Sequence, residues 1–287
     1  MMKINNKLFL LTASLALLAC EKEIEYKGDE EDPKLVINAV MENDSTASVY
    51  LERSVFFLDD QKETRIDSGA VITLTDLSTG NSFTLNKGTF ENRYDFNHQV
   101  KASNSYKIQA QHPVFGSAES SMVSASSVNL IEVDTSSYTD QFTLKKKAVM
   151  KWNDPAGKNF YMIRLYQFDQ QQNALYDQWF EAGDASISNG GDGGENGGKS
   201  FFNVALMTDE LFDGEQKELV IEFGTYQGTP VYQYELLSLN EEAYKYHLSL
   251  YKSSMGVDFF AEPVKVFNNI SGGYGVFCTF NRSSIRK

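Results

Sequence analysis

Ser105-Tyr106-Lys107-Ile108-Gln109-Ala110-Gln111 indicates the fold class most clearly, because it alternates apolar and polar side chains with a period of two. In an extended chain, Tyr106, Ile108 and Ala110 point to one face, and the Lys and Gln side chains point to the other. This alternation is typical of an antiparallel strand with one face on a core and the other in water. The stretch therefore predicts a mainly β protein.

Comparable runs occur on both sides of this stretch. They are Leu35–Met41, Ser48–Phe56, Ala70–Leu77, Ser82–Leu85 and Gly116–Met122. The four residues from Ser78 to Asn81 have the composition of a hairpin turn. Strands of this number and length predict an immunoglobulin-like β-sandwich over residues 34–126.

The chain beyond this sandwich also has the composition of strands. A Ser- and Thr-rich stretch containing the apolar run Val128–Val133 leads into the second region. There Lys147–Trp152 and Phe160–Phe168 are strand-like, and a loop with both Pro and Gly separates them. We expect a second β-rich, sandwich-like domain over residues 127–287.

Two segments of the second region depart from the strand pattern. Residues 188–198 are mostly glycine and polar residues, with too little apolar surface to offset the entropy of ordering them, so we predict a mobile loop. A helix is predicted after Ser238, which forms a capping box with Glu241, and Gly256 supplies its stop. Side chains suited to one packed face recur at helical spacing, at Ala243, Tyr246, His247 and Leu250. We expect this face to pack on the second sheet.

Residues 1–19 have the parts of a secretory signal, with two lysines before the apolar run Leu8–Ala19. This run is much shorter than the roughly 20 residues that a membrane-spanning helix needs. Leu17-Leu18-Ala19-Cys20 resembles a lipobox, in which Cys20 becomes the lipid attachment point after cleavage. An ordinary signal peptide with a chance cysteine is the alternative. Residues 20–33 are rich in Glu, Asp, Lys and Gly and predict a solvated acidic tether.

Two or more acyl chains give stable anchoring, because each buried methylene contributes about 0.8 kcal/mol. We therefore expect the chain to bind the lipid bilayer through N-terminal acyl chains. Glu21, Glu23 and Glu25 directly follow the cysteine, and acidic residues there resemble the surface-export signal of Bacteroidota lipoproteins. We expect the cell-surface face of the outer membrane, with the periplasmic face as the alternative.

The net charge and the number of cysteines exclude some partners and structural features. The formal net charge is -13, whereas binding to nucleic-acid phosphates needs clustered Lys and Arg, so we predict no nucleic-acid partner. The chain has two cysteines, Cys20 and Cys278. If Cys20 carries lipid, Cys278 has no cysteine left to pair with, and an intramolecular disulfide is excluded. The apolar neighbours of Cys278 predict a buried side chain in a strand.

The residues suited to catalysis form no recognised motif. His98, His112 and His247 are far apart in sequence and lack the spacing of zinc ligands. No Gly-x-Ser-x-Gly segment is present to form a nucleophile elbow. Carboxylates are abundant, but abundance does not indicate the paired geometry of a glycosidase. We therefore predict no cofactor, no metal and no enzymatic activity.

Three further signals point to binding or modification. Asn189, Asp192, Glu195 and Asn196 offer oxygen ligands to calcium, although their spacing is not that of an EF-hand. Aromatic residues would stack on sugars or contact a partner if exposed, and would fill the cores if buried. The aromatic candidates are Trp152, Trp179, Tyr226, Tyr232 and Tyr234. Asp44-Ser45-Thr46 matches the short O-glycosylation pattern of the Bacteroidota.

Seven separated segments resemble sequence motifs of one protein family. They are Pro33–Asn38, Ser68–Ile72, Trp152–Gly157, Asp209–Gly214, Glu241–Tyr244, Phe260–Ile270 and Gly272–Phe277. Together they resemble a Bacteroidota outer-membrane lipoprotein family, domain of unknown function 4249, over nearly the whole mature chain. Cys278 departs from the small residue expected there. The resemblance implies an outer-membrane lipoprotein, often encoded beside a SusC-like TonB-dependent transporter, and implies no established activity.

The closing glycines Gly272, Gly273 and Gly275 predict a tight turn and a last strand that completes the second sheet. Together with Tyr274, they are the candidate contact for a partner protein. We expect a binding protein that is accessory to a TonB-dependent transporter in nutrient uptake. The alternatives are a surface hydrolase acting on glycans or peptides, and a structural or adhesion protein of the envelope.

Overall fold

Seventeen strands and one helix make up the described part of the chain in the computed structural model. The described residues are 31–56, 63–66, 68–86, 92–140, 143–168, 175–190, 199–225, 230–255 and 264–287. The strands are β1 (Leu35–Glu42), β2 (Thr46–Arg53), β3 (Val71–Asp76), β4 (Asn81–Leu85), β5 (Arg93–Gln99), β6 (Ser105–His112), β7 (Gly116–Val123), β8 (Leu130–Asp140), β9 (Thr143–Asn153), β10 (Phe160–Phe168), β11 (Leu175–Asp177), β12 (Phe180–Ala182), β13 (Ser200–Phe202), β14 (Val204–Thr208), β15 (Gln216–Gly224), β16 (Tyr232–Leu239) and β17 (Tyr274–Arg286). The helix, α1, spans Glu241–Met255.

The strands form three sheets. The largest is eight-stranded, in the order β11-β10-β16-β17-β1-β2-β5, with β14 also paired to β10. A five-stranded sheet has the order β13-β12-β15-β9-β8, and a four-stranded sheet has the order β4-β3-β6-β7. The predicted fold class is confirmed, because the described chain is mainly β in a sandwich-like arrangement with a helix in its C-terminal half.

The first core lies between β1, β2 and β5 and the four-stranded sheet. Alternate residues of β1, such as Ile37, meet alternate residues of β6, such as Tyr106 and Ile108, and all three are 0% exposed. The alternation seen in the sequence therefore corresponds to burial on one face. The Ser78–Asn81 turn joins β3 to β4 as predicted, and the N–H of Gly80 donates to the Asp76 carbonyl over 2.8 Å.

The second core lies between β10 and β16 and the five-stranded sheet. Ile163 and Leu236, which are paired in the ladder between β10 and β16, pack with Trp152, Leu219 and other buried side chains. Leu236 of the second core pairs with Ser283 of β17. Ser283 and Phe277 are six residues apart in β17, so their side chains point to the same face, and Phe277 enters the first core. Both cores therefore lie on the same face of the eight-stranded sheet.

The last strand connects all the packed layers. β17 runs parallel to β1 and antiparallel to β16. Phe277 belongs to the first core, and Ile285 packs against the second. Val276 and Cys278 point to the opposite face, where they pack under α1. The closing segment is therefore a central strand of the eight-stranded sheet, between β16 and β1.

The two sandwiches share the eight-stranded sheet, whereas the sequence predicts two separate domains. Residues 124–129 do lead from β7 in the first sandwich to β8 in the second. However, β17 lies beside β1, so strands from 34–126 and from 127–287 are hydrogen-bonded within the eight-stranded sheet. Residues 33–287 form one compact unit for this reason.

The helix is present as predicted, but its cap is different. Asn240 is the N-cap residue, since its Oδ1 accepts the N–H of Ala243 over 3.0 Å. The predicted capping box at Ser238 is wrong, because Ser238 lies in β16 and its hydroxyl donates to the Ser126 carbonyl. Ala243 and Tyr244 pack on the eight-stranded sheet. Gly256 lies outside the described residues.

Several strands were not predicted individually. β5 and the strands from β11 to β16 were not assigned from the sequence, and β8 extends through polar residues to Asp140, well beyond the apolar run that ends at Val133. Among the described residues, no helix has the length and apolar character needed to cross a bilayer.

Candidate functional site

The closing residues Gly272–Gly275 lie where three backbone segments meet. A Cβ atom placed on Gly272 would be 2.4 Å from the Ser117 carbonyl oxygen, and one on Gly275 would be 2.1 Å from the Ile37 oxygen. Both glycines also have positive φ, 76° and 114°, which side chains other than glycine resist. These glycines bring β17 against β1 and β7, and their contact with a partner protein stays a prediction.

Tyr274 contributes the one large side chain of this motif and lies beside the start of the fold. The residue is 39% exposed, and the Lys34 ammonium lies 5.4 Å from the ring centroid. The Lys34 N–H donates to the Ser54 hydroxyl over 2.9 Å, and the Ser54 N–H donates to the Lys34 carbonyl over 2.8 Å. The point where the chain leaves the predicted tether is therefore fixed next to the closing motif.

Three carboxylates that the sequence did not single out as a group converge at one end of the second sandwich. Asp154, Asp209 and Asp213 each offer an oxygen atom, and these atoms all lie within 4.8 Å of one another. Asp154 and Asp209 are 5% and 2% exposed. Oxygen ligands in a loop region are what a hard cation such as calcium prefers. These three are the residues best placed to hold a metal ion in the described part of the chain.

The same carboxylates already serve as hydrogen-bond acceptors. Asp154 accepts from the Tyr161 hydroxyl and from the Gly214 N–H. Asp209 accepts from the Asn159 N–H over 2.7 Å, and Asp213 accepts from the Gly157 N–H over 2.7 Å. Burial raises the pKa of Asp154, although its hydrogen bonds oppose that change. The cluster thus connects the loop after β9 to the loop after β14.

The three histidines have separate environments. His98 stacks on Phe83 at 4.7 Å between ring centroids, and its Nε2 lies 3.3 Å from the Tyr106 hydroxyl. His112 caps the hairpin between β6 and β7, because its Nδ1 accepts the N–H groups of Val114 and Phe115. Burial and the Arg164 cation lower the pKa of His247 to about 4. Each histidine is therefore explained by its local packing.

A hollow of about 640 Å³ lies beside His98 on the first sandwich. Its lining is largely polar and consists of Thr46, Asp95, Phe96, Asn97, His98, Gln99 and Lys101. The Lys101 ammonium lies 2.7 Å from the Asp44 carboxylate and the Arg93 guanidinium lies 2.7 Å from Asp95, so the charges at this rim are paired. Asp44 begins the Asp-Ser-Thr modification pattern, which lies at the turn between β1 and β2.

The predicted aromatic candidates divide between core and surface. Trp152, Tyr232 and Tyr234 are 0% exposed and fill the second core. Trp179 is 56% exposed, and Tyr226 lies outside the described residues.

Two exposed aromatic residues on edge strands were not singled out from the sequence. Tyr176 on β11 is 59% exposed, and Phe201 on β13 is 57% exposed. β11 and β13 are edge strands of the eight-stranded and five-stranded sheets, and Trp179 lies between β11 and β12. Phe201 is paired with Glu181, two residues after Trp179. We call Tyr176, Trp179 and Phe201 the aromatic edge.

The remaining sequence candidates are partly outside the described residues. Asn189 is 3% exposed, and its amide bonds to the backbone of β14 at Val204 and Leu206, over 2.8 Å each. The other calcium candidates, Asp192, Glu195 and Asn196, lie outside the described part, as does Cys20. Cys278 is buried in β17 as predicted, and burial raises the pKa of its thiol to about 12.

Comparison with known proteins identifies the family of this chain. No curated protein matches the chain. Among solved structures, the Mu homology domain of Fcho1 from Danio rerio with a bound Eps15 peptide is 10% identical, with 88% of this chain and 92% of that chain covered and a TM-score of 0.20. A TM-score of 0.20 does not indicate a shared fold. The family model described as domain of unknown function DUF4249 matches residues 21–286, and the chain therefore belongs to the DUF4249 family.

Proposed function

We propose that this chain is a lipid-anchored outer-membrane protein that binds a ligand or a protein partner, as an accessory to a SusC-like TonB-dependent transporter in nutrient uptake. The observation that carries the proposal is the order of the N-terminal sequence. An apolar signal is followed by Cys20, then by an acidic stretch, and then by a compact unit that begins at Pro33. This order is typical of a folded body held to a membrane by acyl chains.

The aromatic edge is the surface best suited to contact the partner. Its three residues are each more than half exposed, and burying aromatic side chains against a partner stabilises a complex more than burying most other side chains does. They lie at the edges of two sheets, far along the chain from the tether. A binding role for this edge is part of the proposal.

The anchor is tested by expressing the full chain and a Cys20→Ser variant in a bacterial host that processes lipoproteins. We expect the wild-type protein in the membrane fraction, with an acylated N-terminal cysteine in its mass spectrum. The variant should lose acylation and leave the membrane fraction after cleavage or accumulate with its signal attached. A wild-type chain that is processed at another residue would contradict the anchor.

The accessory role is tested by affinity purification from outer membranes of the native host. We expect a TonB-dependent transporter to co-purify with the wild-type protein. Replacing both Trp179 and Phe201 by Ala should reduce its recovery by more than about tenfold, because truncating even one aromatic hot-spot residue costs about 2 kcal/mol or more. Leu211→Ala is the matched control, since Leu211 is 66% exposed on another loop. Recovery of the wild-type protein without a transporter would overturn the accessory role.

A further inference from the structure

The strand pairings place several segments at one end of the first sandwich. Leu35 at the start of β1 pairs with Arg53 at the end of β2, and His112 at the end of β6 pairs with Gly116 at the start of β7. A Cβ atom on Gly273 would be 2.3 Å from the Leu35 oxygen and 3.0 Å from the Ala118 Cβ atom. The β6–β7 hairpin tip, Pro113–Phe115, therefore lies at the end where the chain enters the fold. We call this end, with Lys34 and Tyr274, the tether end.

The hairpin tip presents an apolar side chain to solvent. Val114 is 77% exposed, the highest value among the large apolar side chains in the described residues. The tip is held in place, because the Val114 and Phe115 N–H groups donate to His112 and the His112 ring stacks on Phe115 at 4.5 Å. A fixed apolar tip loses little conformational entropy when it becomes buried.

Tyr274 and Lys34 give the tether end the chemistry of a membrane interface. An exposed tyrosine ring has an apolar body and a polar hydroxyl, and a lysine buries its stem while keeping its ammonium in water. Residues of these types are enriched at the boundary between headgroups and acyl chains. The two side chains are in contact, with 5.4 Å between the ammonium and the ring centroid.

The length of the predicted tether makes contact with the bilayer feasible without enforcing it. The chain from Cys20 to Lys34 spans at most about 50 Å when fully extended, and roughly 20 Å on average as a flexible coil. A tether of that length raises the effective concentration of the membrane surface near Lys34 to about the millimolar range. A weak apolar contact is then enough to orient the body.

From these observations we propose that the tether end docks on the bilayer surface, with Val114 inserted among the lipid headgroups. The proposal rests on the proposed lipid anchor and adds to it a defined orientation of the body. The opposite end of the first sandwich, where Leu77 is 50% exposed next to the β3–β4 turn, then faces away from the lipid.

The test uses the full lipidated chain in vesicles of phosphatidylethanolamine and phosphatidylglycerol with acyl chains brominated near the headgroup. Val114→Cys and Leu77→Cys variants carry the same environment-sensitive fluorophore, and the second variant is the matched control. Cys278 is buried, and its thiol is protected from labelling. Since interfacial side chains enter about 5 to 10 Å into the headgroup boundary, we expect at least about twofold stronger quenching at position 114 than at position 77.

Equal quenching at the two positions, with both fluorophores in water, would overturn the proposal. Mass spectrometry of the same sample separates this failure from a failure of the anchor, because an unmodified Cys20 contradicts the proposed function itself. Protection of position 114 only after a transporter is added to the vesicles would assign this end to the transporter. Self-quenching between labelled copies would assign it to a second copy of this chain, and either result would replace the bilayer as the occupant.

Discussion

At the scale of single residues, the most demanding position is Gly275. It lies opposite Ile37 in the parallel ladder between β1 and β17, with a φ of 114° and with space for hydrogen alone beside the Ile37 carbonyl. The sequence indicated that the closing glycines form a turn with unusual backbone angles. It did not indicate that they allow two distant strands to pack closely, because that constraint depends on which strands become neighbours.

We expect Gly275→Ala to lower the free energy of unfolding by about 3 kcal/mol, because it adds a backbone clash to an unfavourable φ. The control is Gly224→Ala on β15, where nothing lies within 4 Å of an added Cβ, and its effect should be within about 0.5 kcal/mol. Urea unfolding monitored by circular dichroism measures both values. Similar stabilities for the two variants would contradict the close approach at Gly275.

At the scale of secondary-structure elements, the sequence predicted some of the strands whose two faces differ in polarity, although β5 and β15, which are of this kind, were missed. β6 and β10 were placed to within a residue, because their apolar residues mark a buried face or a buried strand. β8 is different, since most of its residues from Asp134 onward are exposed on both faces. A strand that is exposed on both faces shows no alternation of apolar and polar residues in the sequence. The outer part of β8 is recognised as a strand only by its pairing with β9.

The helix α1 shows why the position of a cap is difficult to predict. Ser238 fits the capping pattern but lies inside β16, whereas Asn240 directly precedes the helix and provides the cap. Asn240 also bonds to the end of the first sandwich. Its Oδ1 accepts the Thr279 N–H over 3.1 Å, and its Nδ2 donates to the Val123 carbonyl over 3.1 Å. The Thr279 hydroxyl in turn accepts the Ala125 N–H over 2.7 Å. One side chain thus connects the helix, β17 and the end of β7.

We expect Asn240→Ala to destabilise the protein by about 3 kcal/mol, since it removes the cap and leaves the buried Thr279 N–H without its acceptor. Ser254→Ala near the exposed end of α1 removes one hydrogen bond to the Tyr251 carbonyl and should change the stability by less than about 0.5 kcal/mol. The free energies of unfolding from urea titration compare the two. Equal effects would mean that Asn240 acts only as an ordinary surface cap.

At the scale of the whole molecule, the two sandwiches depend on each other unequally. The second core draws all its residues from positions 128–285, and the cluster under α1 draws its residues from positions 160–280. The first core, in contrast, includes Ile270 and Phe277 from the end of the chain. This asymmetry was not predictable from local patterns, because it follows from the pairing of the first strand with the last.

The asymmetry predicts how fragments behave. Residues 33–126 lack β17, so β1 keeps β2 but loses its other neighbour. The first core also loses the Phe277 side chain, whose burial typically contributes about 1.5 to 3 kcal/mol. We expect this fragment to show no cooperative thermal transition, whereas residues 127–287 should keep one that the fluorescence of the buried Trp152 reports. The control is the chain from 33 to 287, which forms one compact unit and should melt within a few degrees of the mature protein. Cooperative, native-like unfolding of the 33–126 fragment would show instead that the first sandwich is complete without the last strand, and that the shared sheet joins two bodies that are each stable alone.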